Sequence, residues 1–222
     1  MKLKKIASLA LAGIMAVSML AGCKSNPADP ENPTNPETTT GIVAAMNNGQ
    51  SATNKVKVTF SSDASVEAGM TAALKALGDN ASVTDATNLT TEVAKRTGIT
   101  ADEKMSKVAT EDATTSGNLV NPDGVNGKVI TSLRVFHVDG ALTESAAERM
   151  AVSNIDAVIA NLPDTTFVNG KDAAATNDGE KYADYSYTGT INMVSVENSN
   201  GTTHYYVGYT ITRTATVSTF EK

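Results

Sequence analysis

Apolar positions in residues 41–222 change their period several times, and each period predicts an element. Val56, Val58 and Phe60 alternate with Lys57 and Thr59, the two-residue repeat of a short half-buried strand. Beyond them the spacing turns helical. Val66, Met70, Ala73, Leu74 and Leu77 share one face, with Asp63 placed to cap the start and Gly78 the end. Two shorter helices are predicted over 89–96, ending at Gly98, and over 101–112, where Thr100 and Glu103 have the spacing of a capping box.

Residues 113–127 read as a loop, with Asn121-Pro122-Asp123-Gly124 as turn chemistry. Residues 128–138 are β-branched and apolar with little polar alternation, which predicts a central strand buried on both faces. Thr143 or Ser145 then opens the best helical pattern. Met150, Ala151, Ile155, Val158, Ile159 and Leu162 form its apolar stripe, and Pro163 limits it. A second loop, rich in Ala, Asn, Asp and Gly, is expected over 169–181.

The C-terminal residues predict a β-hairpin. Asn200-Gly201 suits a type I′ turn, because both residues tolerate positive φ. A turn there pairs Ser199 with Thr202, Val196 with Tyr205 and Val194 with Val207. Carried farther, that register sets polar residues on the buried face, so a β-bulge is predicted near Asn192 or Met193, opposite Gly208. Past the bulge Ile191 meets Tyr209, Tyr187 meets Arg213 and Tyr185 meets Ala215. The buried face would carry Tyr185, Tyr187, Ile191, Val194, Val196, Tyr205, Val207, Tyr209, Ile211 and Val217, with Arg213 over Tyr187 and its charge reaching the sheet edge.

These elements predict a single α+β domain: a mainly antiparallel sheet ending in a long C-terminal hairpin, packed with about four helices on one or both faces. Phe60 is the only aromatic residue before Phe136, which places the dense core toward the C-terminus.

The first 40 residues have a different character. Lys2, Lys4 and Lys5 precede an uncharged, mostly apolar run from Ile6 to Leu20, the pattern of a signal-peptide core. At about 1.5 Å per residue it falls short of a bilayer's hydrocarbon layer of roughly 30 Å. It ends in Leu20-Ala21-Gly22-Cys23, which resembles the lipobox of bacterial lipoproteins. The resemblance covers residues 1–23 and implies that Cys23 is acylated and, after cleavage before it, becomes the N-terminus. The expected partner is therefore the membrane, through lipid on Cys23, and the expected location its extracytoplasmic face. Cys23 is the only cysteine, so an intrachain disulfide and a Cys-based metal site are excluded. Pro27, Pro30, Pro33 and Pro36 recur every third residue among polar neighbours, a polyproline II tether of roughly 50 Å at about 3.1 Å per residue.

Residues 1–22 hold three lysines and no acid, so beyond them the 18 basic side chains fall to 15 against 24 acidic ones, a formal charge of −9. That balance argues against nucleic acid as a partner. His137 and His204 are the only histidines, one in the predicted central strand and the other near the hairpin tip. No His-Glu-x-x-His spacing, nucleophile elbow or phosphate loop is present, so no catalytic residue, metal ligand or cofactor is assigned. Glu144 and Glu148 lie one helical turn apart at a helix start, where acids complement the dipole. The Asp- and Gly-containing loops depart from the EF-hand order.

Two functions follow as expectations. The first is a non-enzymatic binding or structural domain with a cell-envelope or extracellular ligand, met by a polar hairpin face holding His204 and Tyr206 or by the two long loops. The second is a cell-envelope hydrolase, since the element order over residues 63–218 resembles CAP or SCP-like secreted domains. That resemblance implies a cleft with two histidines and two acids. Here His137 falls in a strand rather than on a helix, and no site residue carries over.

Overall fold

The computed structural model describes residues 41–77, 86–110, 125–138, 142–167, 181–197, 201–219 and 221. The signal segment, the lipobox with Cys23 and the tether lie outside the described residues. So do Gly78, Asn200 and most of the two long loops.

The described elements run α1 (Gly41–Gly49), β1 (Thr59–Ser61), α2 (Ala64–Leu77), α3 (Ala86–Thr97), β2 (Thr100–Ala101), α4 (Ser106–Thr110), β3 (Val129–Val138), α5 (Glu144–Ile159), β4 (Thr165–Phe167), β5 (Lys181–Glu197) and β6 (Thr203–Thr219). The sheet order is β1-β5-β6-β3-β2, with β4 also on β5. The β5–β6, β6–β3 and β4–β5 ladders are antiparallel, while β1 on β5 and β2 on β3 are parallel. The domain is α+β, as its pattern of elements predicts.

Helices cover both faces of the sheet. On one side Met46 of α1, Val108 of α4 and Ala147, Ala151, Ile155 and Ile159 of α5 pack on Phe136, Val138, Tyr185, Tyr187, Ile191, Val207, Tyr209 and Ile211. On the other, Val66, Met70, Ala73 and Leu74 of α2 join Leu89 and Val93 of α3 over Leu133, Val135 and Tyr206. The second core explains the main correction to the hairpin. β5 and β6 pair without a break from Lys181↔Thr219 to Glu197↔Thr203, so there is no bulge at Asn192 or Met193. Ile191↔Tyr209, Tyr187↔Arg213 and Tyr185↔Ala215 stand as expected, but Val194 meets Tyr206 and Val196 meets His204. The bulge was needed only to keep every apolar side chain on one face; with both faces buried, Val194, Val196 and Tyr206 pack under α2 and α3.

Several local expectations hold. Asp63 caps α2, its Oδ1 accepting from the N–H groups of Ser65 at 2.8 Å and Val66 at 3.3 Å. Thr143 caps α5 through the Ala146 N–H. Val56, Val58 and Phe60 are buried as expected, but strand geometry there is confined to Thr59–Ser61.

Others are corrected. Thr100 belongs to β2, not to a capping box; Asp102 caps α4 instead, and that helix spans only Ser106–Thr110. Met150 is 42% exposed, because the four-residue spacing of Ala147, Ala151, Ile155 and Ile159 turns it off the buried stripe. β3 is interior but not central, since its outer neighbour β2 reaches only Ser132 and Leu133. Arg213 does not reach an edge: it is 2% exposed, lies 4.4 Å over the Tyr185 ring rather than over Tyr187, and donates from Nη1 to the Val108 carbonyl at 2.9 Å.

Side chains close part of each sheet edge. Asn47 of α1 and Gln50, just past its end, bind the outward backbone of Phe60 and Val58. Across the sheet the buried Thr90 hydroxyl donates to Val135 O at 3.1 Å and accepts from its N–H at 3.0 Å. Backbone groups that would otherwise invite another strand are thereby satisfied.

Candidate functional site

The two histidines, distant in sequence, meet on the sheet face beneath α2 and α3. In the β3–β6 ladder His137 stands opposite Tyr206, and the two-residue repeat of β6 brings His204 to the same face one step nearer the hairpin tip. Cross-strand diagonal neighbours are within reach of aromatic rings, and His137 Nε2 lies 3.1 Å from His204 Nδ1. Their ring centroids are 5.3 Å apart and tilted by 39°. A neutral imidazole offers one N–H and one lone pair, so one ring donates and the other accepts.

Tyr206 completes the cluster from below. Its ring meets that of His137 edge-on, with centroids 5.1 Å apart at 61°. Tyr206 is 4% exposed, whereas both histidines are half-buried and reach solvent. Burial pushes the Tyr206 phenol up, so it stays protonated and neutral at physiological pH. The polar hairpin face expected to present His204 and Tyr206 together is therefore corrected. Tyr206 belongs to the second core, and the surface there is made by the two imidazoles.

Among the described residues no group of three or more His, Cys, Asp or Glu is placed to hold a metal ion. The histidines thus converge as the hydrolase expectation requires, without an acid joining them in such a group. Glu144 is exposed and Glu148 half-buried on the first two turns of α5; burial pushes the Glu148 carboxyl up and the Glu144 charge adds to it. The lipobox residues Leu20, Ala21, Gly22 and Cys23 lie outside the described residues.

Sequence reasoning named both histidines but did not bring them together. The missing signal was the register of β6 against β3, which no turn residue between them reports. No family model, curated protein or solved structure matches this chain.

Proposed function

We propose that this chain is a lipid-anchored extracytoplasmic protein whose domain binds or supports rather than catalyses. The observation that carries the reading is the succession of basic start, apolar run and Leu20-Ala21-Gly22-Cys23, ending at the single cysteine of the chain. Two or more acyl chains, at about 0.8 kcal/mol per buried methylene, give durable anchoring where one would not. No helix among the described residues is long and apolar enough to cross a membrane.

A non-catalytic role is supported by where the polar side chains are used. Asn47, Gln50, Thr90 and Asp102 all bind backbone groups of the fold itself, and Asp156 holds the Ser51 N–H at 2.9 Å and the Asn54 amide at 2.7 Å.

Expression with labelled palmitate tests the anchor. Label should enter the chain, the intact mass should correspond to an acylated Cys23 as first residue, and C23A should abolish both. An unlabelled wild-type chain starting at any other residue overturns the proposal. For the domain, the chain is incubated with cell-wall fragments; turnover that H137A abolishes would replace the binding reading with the hydrolytic one.

A further inference from the structure

We propose that His137 and His204 form an open two-histidine site for a divalent transition-metal ion of the kind that prefers imidazole. Two nitrogens each about 2.0–2.1 Å from one ion, at 90–109° to each other, stand roughly 2.9–3.4 Å apart. His137 Nε2 and His204 Nδ1 stand at 3.1 Å, inside that range. Their rings project from neighbouring strands of one ladder, so the backbone sets the two side chains next to each other before any ion arrives. Tyr206 packs against the inner side of His137 and limits its rotation. Both rings are half-buried, so an ion can enter from solvent and fill its other positions with water or with donor atoms of a second molecule.

Ligation uses the lone pairs of both facing nitrogens. The proton held between them moves, through solvent, to the far nitrogen of its ring, leaving His137 protonated on Nδ1 and His204 on Nε2. With two protein ligands the site is weaker than a closed structural zinc site, and it suits capture of an ion already carrying another ligand. It stands independently of the lipid anchor.

The test is Ni²⁺ titration of the full chain in detergent, with C23S in every variant so that no thiol competes. One equivalent should bind, with a rise of several degrees in Tm because the ion ties β3 to β6 and binds only the folded chain. H204A should weaken binding at least about tenfold, a loss that even residues supporting a metal ligand can produce. It should also remove the Tm rise. His204 is the safer position, next to the turn; H204Q provides a second variant, and circular dichroism without metal checks that each folds. Stoichiometric binding that survives H204A and H204Q, or wild-type binding no tighter than that of the H137Q/H204Q chain, would overturn the site.

Discussion

Asn47 and Phe60 are joined by two hydrogen bonds: Nδ2 donates to the Phe60 carbonyl at 2.9 Å, and Oδ1 accepts from the Phe60 N–H at 2.8 Å. Gln50, three residues on, does the same for Val58 at 2.7 and 2.9 Å. Two amides, one in α1 and one just past its end, thus occupy the backbone that a further strand would use. Asn47→Ala leaves Phe60 with a half-buried donor and acceptor to be met by water, at a cost of about 1–3 kcal/mol. Urea unfolding should show a lower midpoint at unchanged slope. An unchanged midpoint would mean that the amide contributes nothing beyond geometry.

Asp102 ties three segments together. It accepts from the Lys107 N–H at 2.7 Å and from the hydroxyls of Ser106 and Ser132 at 3.2 Å. Burial opposes its charge, but the N–H groups of Lys107 and Ser106 and the two hydroxyls outweigh that and hold the carboxyl below its ordinary 3.8. A depressed folded value means stability that is full above the unfolded value and lost as pH falls through the folded one. Asp102→Asn should therefore lower Tm at neutral pH and flatten the fall in Tm between pH 4 and 2. Parallel acid limbs for the two proteins would contradict this.

Gly189 and Gly208 differ in what a methyl group would strike. At Gly189 a Cβ would lie 2.6 Å from the Thr210 carbonyl oxygen and 2.6 Å from the Phe60 ring, and the former is backbone of the neighbouring strand. At Gly208 it would meet the sulfur of Met70, the far part of a flexible side chain. Gly189→Ala should cost about 3 kcal/mol and Gly208→Ala about 1 kcal/mol, by chemical denaturation. Equal costs would show that the strands shift as readily as the methionine.

Glu148 has a raised folded value, from burial first and the nearby Glu144 second. Its favourable contribution is present below the ordinary carboxyl range and is lost as pH rises through the folded value. Glu148→Gln should stabilise at pH 7 by roughly 0.3–0.5 kcal/mol, the scale of a like-charge pair one turn apart on a partly exposed helix. The gain should vanish at pH 3; a gain equal at both values would point to packing instead.

Elements with a strong period were legible in the sequence: the α2 stripe with its Asp63 cap, the α5 stripe with Thr143, and the β-branched run of β3. What escaped was held by distant contacts. α1 has no strong local signature, and its role depends on amides finding β1. β2 and β4 have only two and three residues, too few to show a period. The hairpin register was misread near Asn200-Gly201 because a turn motif was weighed on the premise of a single buried face, while Val194 and Tyr206 belonged to a second core. The histidine cluster was hidden for a related reason, since its partners are set by how two strands slide past each other.

The Asp63 N–H donates to Asn192 across 129 residues of chain, and β1 lies against β5, which belongs to the last long hairpin. β3 likewise waits for β6. An emerging chain can coil α2 early, yet it has no sheet to lay it on until the final strands are free, and such late closure makes folding slow. A polypeptide of this topology stays threadable for as long as its tail is held, and commits to its shape only on release.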